Sequence, residues 1–543
     1  MKDKKQRMTM KNYAILLLLA LIVINAAVYG FTHIEGASNY GDDANYLYLA
    51  STVLHGNFLI NPGYIFSVRL MSFMPIALIY FLFGVTNLTS TLWNVLSYIG
   101  IIIVTYLATK LLYDYKAALI SAFVVSIFPI VTQHAVNICE NVPLTFITSL
   151  AVLLFLYAER ENKKWQYFAS GVMLVVSWLI SYEAAIIILL VLLYALVQVI
   201  RKRIMVDRTS LFFICGIVLS FAATFIFSYL NSGMPFATIT TNLRFYSGIG
   251  QRVDGLPTIP SSTTDLYFYI NTMFQYRIGE VLLQNGLQGL PNIWNMLTYP
   301  MNPTAYGLYF YLLIITLVPF LIFEKRSYFM VFWLAFIWLF LEFGPMHVDI
   351  ISIIPLQVNY LLAHRLERFM MVLAVPLAAI AGVSMSMLIS MKDKRLLPLG
   401  GGILVFMLVV LFVNNYVISE FWYQWQYYPM SITLRAADFL RPYAFTNTIY
   451  IDGLVNGGGV SVFGANLPSF FGYPSDPHYL VVGENASCSS FVNNSYAVWA
   501  GNPGCGRFVN VFNITIPKNI PDYVIQGQNP NMPLIPTNIY FVR

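Results

Sequence analysis

Charge is scarce in this sequence. Of its 543 residues only 10% are Asp, Glu, Lys or Arg, against 58% that are hydrophobic, whereas about a quarter of an ordinary soluble domain is charged. With a mean hydropathy of +0.68, the chain has too few polar side chains to clothe a water-soluble surface, which makes it a polytopic membrane protein. Internal repeats and low-complexity tracts are absent. So is an A-x-A cleavage site after the apolar run Ala14 to Tyr29, so the run is expected to stay as a first span and not to be removed as a signal peptide. A net charge of +6 would suit a nucleic acid, but the basic residues fall in short clusters between apolar runs. That placement is a topology signal, and no nucleic-acid partner is expected.

What is abundant is membrane-length apolar sequence. A spanning helix needs about 20 mostly apolar residues, and eleven stretches qualify, at roughly 13–33, 90–112, 117–134, 142–158, 166–182, 184–200, 210–230, 304–323, 327–344, 368–390 and 397–417. With the N-terminus cytoplasmic, alternation gathers 19 of the 30 Lys and Arg residues on that side. They are Lys2, Lys4, Lys5, Arg7, Lys11, Lys110, Lys116, Arg160, Lys163, Lys164, Arg201, Lys202, Arg203, Arg208, Lys325, Arg326, Lys392, Lys394 and Arg395. This works only if the apolar segment Tyr64 to Gly84 does not cross, and it is expected to lie in the outer interface or to re-enter from it.

The expected organisation is a membrane domain over 1–418 and a small extracytoplasmic β-rich or α+β domain over 419–543, where apolar runs shorten between Gly, Pro and Asn. Two long outer loops interrupt the first part, at 34–90 and 231–303. Cys488 and Cys505 both fall in the terminal domain and are placed to pair in an oxidising compartment. Sequons at Asn485, Asn493 and Asn513 fall there as well, and another at Asn87 falls in the first outer loop.

The stretch NYGDDANYLYLASTVLHG, Asn39 to Gly56, sets two carboxylates, Asp42 and Asp43, shortly after the first span. One reading is a helix cap, because a carboxylate accepts free N–H groups and answers the helix dipole. The other is chemical. Glu140 is expected where the third span emerges on the same face, and three carboxylates meeting there would bind a divalent cation (Mg or Mn) or raise one another's pKa until one serves as a base. Asp43 and Glu140 are the candidate metal ligands. His347, Asp349 and His364 share an outer loop but show no fixed ligand spacing.

These motifs resemble the GT-C fold glycosyltransferases, of the protein O-mannosyltransferase and aminoarabinose transferase type. The matching features are one span, then an acidic pair before a helix of the form Y-x-x-x-A-x-x-x-x-x-G, here DDANYLYLASTVLHG. A loosely matched interfacial P-to-G run follows at Pro75 to Gly84. Next comes Phe128-Pro129 before Glu140, Pro143, Leu144 and Phe146, with one extra residue between acid and proline. HRLERFMMVLAVPLAAIAGV looks like a late family segment that places Arg368 at the outer face, with Arg365 as a second candidate and Glu367 placed to orient either.

The likeness covers about residues 10–200 well and extends loosely to Arg395. It implies a GT-C-like bundle and a single sugar moved, with inversion, from a polyprenyl (dolichyl) phosphate donor in the membrane lipid. The acceptor would be a protein, lipid or glycan on the extracytoplasmic face. In that scheme Asp42 is the base, Asp43 and Glu140 position the site or a metal, and Arg368 steadies the leaving phosphate, with Arg365 its alternate.

Two departures stand out. Glu183 replaces a basic residue of the family near WLISYEAA, and the W-W-D motif of oligosaccharyltransferases is missing, FWYQWQYYPM at Phe421 lacking the acid. The competing classes are a polyprenyl-lipid transporter, which would hold its acids near the bilayer midplane, and a non-catalytic lipid-binding relative.

Overall fold

The computed structural model describes residues 2–34, 42–200, 211–248, 309–324, 326–343, 345–353, 356–362, 367–390, 393, 395–440, 442–443, 446–452, 479–482, 488–500, 504, 506–514 and 537–543. Each of the eleven apolar stretches is matched in place by helix. Six of those helices have the length and composition to cross a membrane: Ile15–Thr32, Leu88–Leu112, Asn141–Glu161, Leu211–Ser232, Arg368–Leu388 and Leu397–Glu420. A further pair of helices is bent. Tyr115–Ser126 and Pro129–Ala135 meet at 58°, since Pro129 brings no N–H to the ladder and its ring pushes the preceding turn aside. Where the sequence suggested one straight span over 117–134, the chain breaks at Ile127 and Phe128. The other four stretches form shorter helices: Lys164–Trp178, Ala184–Ile200, Tyr309–Phe323 and Phe329–Phe343. Among the described residues, then, six of the eleven stretches have spanning length, or seven if the bent pair is one span.

The bundle core is made where small residues let helices touch. A Cβ on Gly382 would sit 2.1 Å from Ser121 Oγ and 2.7 Å from the Ala117 carbonyl oxygen, so the helix Ala374–Leu388 lies directly against Tyr115–Ser126. Gly171 and Gly216 do the same for Lys164–Trp178 and Leu211–Ser232, each lying where a Cβ would meet the other helix's backbone at 2.3 Å. Such close approach gives the packing contacts that hold helices together where lipid is as apolar as the side chains.

The segment Tyr64 to Gly84 does not become one long helix. A short turn, Ile65–Val68, is followed at Arg69 by a 14-residue helix, Leu70–Phe83. Phe73, Ile76, Ala77 and Tyr80 on that helix pack with Tyr46, Leu47 and Ala50 of the helix Asp42–Leu54 into a small core of their own, while Leu78, Phe81, Leu82 and Phe83 are exposed. Its start is pinned to the bundle, Met71 N–H donating to the Leu179 carbonyl at 3.0 Å and Ser72 Oγ to that of Ile180 at 3.0 Å. The helix Ala237–Gly248 closes over this layer, Thr241 Oγ1 donating to the Pro62 carbonyl at 2.7 Å.

Basic loops gather at the far end of the bundle. Arg160 donates to the Leu111 carbonyl at 3.1 Å, and Arg326 pairs with Glu324 at 2.6 Å and Asp114 at 3.3 Å. Lys116 Nζ lies 3.4 Å from the Ile389 carbonyl.

The long helix Leu397–Leu440 runs through the boundary expected at 419, carrying FWYQWQYYPM inside it. Strands lie on both sides of it in the chain. Pro345–Ile353 (β1) and Leu356–Leu362 (β2) form an antiparallel hairpin before that helix. After it, Ile449–Asp452 (β3), Tyr479–Val482 (β4), Ser495–Ala500 (β5), Phe508–Ile514 (β6) and Thr537–Val542 (β7) form one mixed sheet in the order β4-β3-β5-β7-β6. The sheet rests on the end of the long helix, Phe439 stacking on Phe512 with ring centroids 4.8 Å apart, and on the turn just past it, Tyr443 lying against Tyr496 at 4.6 Å.

Candidate active site

Glu140 immediately precedes the helix Asn141–Glu161, and its side chain is 2% exposed. A carboxylate that deep must be paired, and here it meets two guanidiniums from distant parts of the chain. Arg69, at the kink before Leu70–Phe83, places Nη1 at 3.0 Å from Glu140 Oε1 and donates from the same nitrogen to Tyr46 Oη at 2.8 Å. Arg368, on the 3-10 turn Glu367–Leu373, brings Nη2 to 4.0 Å from the same oxygen. Burial opposes ionisation of Glu140, but Arg368, Arg69 and the Tyr46 hydroxyl outweigh it and hold the carboxyl below the usual range.

A second buried acid stands beside this group. Glu183, in the turn between Lys164–Trp178 and Ala184–Ile200, accepts a hydrogen bond from Asn141 Nδ2 at 3.3 Å. Asn141 Oδ1 accepts in turn from Cys139 Sγ at 3.3 Å. The Cys139 carbonyl takes a bond from Asn94 Nδ2 at 2.8 Å, which fixes the loop leading to Glu140. Burial, and after it the charge on Glu140, push the Glu183 carboxyl up to about 7, with Arg69 and Arg368 pulling it down.

The acidic pair begins the helix Asp42–Leu54. Tyr46 lies three and four residues on from Asp43 and Asp42, spacings that share one helical face, so the backbone carrying both acids starts one turn from the residue whose hydroxyl accepts from Arg69. The helix ends at Leu54, with Gly56 at φ +73° closing the turn. The side chains of Asp42, Asp43 and Glu367 lie outside the described residues, as do those of His347 and Asp349 on β1 and the whole of Arg365 and His364. The Cys488 side chain, Cys505 and Asn485 also lie outside them. Asn493 and Asn513 are exposed, and Cys139 and Cys215 are free thiols.

A divalent cation does not fit the described groups. Among the described residues no cluster of three His, Cys, Asp or Glu side chains could hold a metal ion. Glu140 already faces two guanidiniums, whose charge repels a dication. Arg69 and Tyr46 are the two site residues that the sequence reading passed over. Arg69 carried a visible signal as the single charge within the apolar segment Tyr64 to Gly84.

Residues 69–227 match the family described as dolichyl-phosphate-mannose-protein mannosyltransferase. The structure superposes on that of ArnT from Cupriavidus metallidurans bound to undecaprenyl phosphate, with a TM-score of 0.55 and 12% identity, over 96% of this chain and 97% of that one. The chain has the fold of the GT-C glycosyltransferases. The apo form of the same ArnT gives a TM-score of 0.53 at 12% identity, over 89% and 92% of the two chains. The Archaeoglobus fulgidus oligosaccharyltransferase in the apo form gives 0.49 at 13% identity, over 86% of this chain and 65% of that one. No curated protein matches the chain by sequence. The matched segment opens on Arg69 itself and runs through Glu140 and Glu183, so most of the charged cluster described above falls within it.

Proposed function

We propose that the protein transfers a single sugar, with inversion, from a polyprenyl (dolichyl) phosphate donor to a hydroxyl of a protein, lipid or glycan acceptor on the extracytoplasmic face. One observation carries the reading: two guanidiniums, Arg69 and Arg368, converge on a single buried carboxylate, and Arg69 also donates to Tyr46, one helical turn from an acidic pair. A phosphodiester donor carries one negative charge, and its departing phosphate gains a second as the bond to the anomeric carbon breaks. Guanidiniums already fixed in place stabilise that growing charge without having to reorganise. Glu140 holds them there. The acceptor oxygen attacks the anomeric carbon from the opposite side, and its proton passes to Asp42. Asp43 and the Tyr46 hydroxyl order the same turn, and Arg365 is the alternate phosphate contact. The helix dipole lowers a carboxylate pKa, so neighbouring acids must keep Asp42 basic enough to act.

The likeness to an ArnT structure that holds undecaprenyl phosphate supports a polyprenyl carrier as donor. The N-terminus and the basic loops are cytoplasmic in this scheme, and the carbohydrate chemistry occurs at the opposite face. Placement of acids weighs against the transporter class: Glu140, Glu183, Glu324 and Glu342 all sit at helix ends, where an ion path would need them midway. The test is incubation of purified protein with radiolabelled polyprenyl-phosphate sugars and, separately, with nucleotide sugars. Release of free polyprenyl phosphate with labelled acceptor from the first set alone is the expected result. Label transferred from nucleotide sugars alone would overturn the proposal.

A further inference from the structure

Glu183 has no part in the mechanism just given, yet it is buried beside the two arginines. The turn that carries it is also the turn that holds Arg69: Leu179 and Ile180 accept the bonds from Met71 and Ser72 that fix the start of the Arg69 helix. Its carboxylate accepts from Asn141, the chain neighbour of Glu140, and lies close enough to feel the charges of Glu140, Arg69 and Arg368. The charges near it can be named from each surrounding element. Arg69 comes from the kink before Leu70–Phe83, Arg368 from the 3-10 turn, Glu140 from the start of Asn141–Glu161, and Tyr46 from the helix Asp42–Leu54. Among the described residues, His134 of the segment Pro129–Ala135, Cys139 and, on its own turn, Tyr182 are the other titratable groups.

We propose that Glu183 is a positioning residue of the donor site, setting how much positive charge Arg69 and Arg368 present to the phosphate of the lipid-linked sugar. The idea rests on the donor reading given above. With Glu183 neutral, Arg69, Arg368 and Glu140 together carry one surplus positive charge, which matches the single negative charge of a phosphodiester. Ionised Glu183 cancels that surplus and competes for the guanidiniums. Since the carboxyl is pushed up to about 7, the neutral form prevails below that pH and the charged form above it. The donor should therefore bind more weakly as pH rises through neutrality.

The experiment measures binding of mannosyl phosphoryl undecaprenol to the full chain in nanodiscs. This diester keeps one charge across the range, so its own titration adds nothing. Wild type is expected to lose about tenfold in affinity between about pH 6 and about pH 8.5, one charge in a partly buried site being worth that order. Glu183→Gln, which keeps an acceptor for Asn141, should bind as wild type does at low pH and hold that affinity at high pH. Glu183→Asp should restore the slope. A Gln variant with an unchanged pH slope, or one with affinity reduced equally at every pH, overturns the role of Glu183 while leaving the donor reading intact. No binding of the diester to wild type at any pH overturns both.

Discussion

Arg69→Met removes the nearer of the two cations on Glu140 and leaves a side chain of similar length. At an effective dielectric of about 20, opposite charges attract by about 5 kcal/mol at the 3.0 Å of Arg69 and about 4 kcal/mol at the 4.0 Å of Arg368. Breaking a buried pair costs about 3–5 kcal/mol, because the partner is left uncompensated. Arg368 still offsets part of the charge, so a loss of about 3 kcal/mol is expected.

The pH dependence follows from Glu140. Its carboxyl lies below the usual range in the folded protein, so it contributes stability that is present above the unfolded carboxyl pKa and lost as pH falls through the folded value. With Arg69 gone the carboxyl rises and takes up a proton more readily, so the gap between variant and wild type should narrow from pH 7 to pH 5. The double variant Arg69→Met with Glu140→Met removes both charges from the interior, and such replacements are near neutral. It should be more stable than either single variant, yet inactive. Equilibrium unfolding in mixed micelles reads all four proteins. A single variant within about 0.5 kcal/mol of wild type, the ordinary effect of a surface change, or a double variant no better than the singles, would refute the pairing as a structural element.

Other perturbations test separate parts of the account. Gly382→Val should sharply lower folded yield and thermal stability, since even a Cβ would meet Ser121 Oγ at 2.1 Å; Gly401→Val, which meets nothing within 4 Å, is the control expected to behave as wild type. Alkylation of the denatured, unreduced protein should label two cysteines, Cys139 and Cys215, and reduction should expose two more. Four labels before reduction would exclude the pairing of Cys488 with Cys505. Arg368→Lys keeps the charge but loses the planar fork suited to phosphate oxygens, so kcat should fall about tenfold or more while folding is retained, as a steady-state transfer assay would show.

Much of this architecture was legible because it follows from local rules. Apolar length gave the helix positions. The break at Ile127 and Phe128 was not read from the sequence, because whether a helix runs on, kinks or ends before Pro129 depends on neighbours such as Tyr98, whose hydroxyl bonds the Ser126 carbonyl. Glu140 was visible as an acid before Pro143 and a long apolar helix. Arg69 escaped because its segment reads first as hydropathy, and only the fold brings it to an acid 71 positions away. Glu183 read as a departure from a family pattern. Its burial and its link to Asn141 depend on a turn that no periodicity encodes. The end of the long helix at Leu440 was missed for a similar reason: aromatic and polar residues around Phe421 lower hydropathy without breaking a helix.

The central claim is that Asp42 accepts the proton of the attacking hydroxyl. Its most direct measurement is the single-turnover rate of sugar transfer from a saturating radiolabelled polyprenyl-phosphate donor, comparing wild type with Asp42→Asn at equal folded concentration. The account predicts a fall of about 100-fold or more with donor affinity kept within about threefold. Equal transfer rates in the two proteins would contradict it.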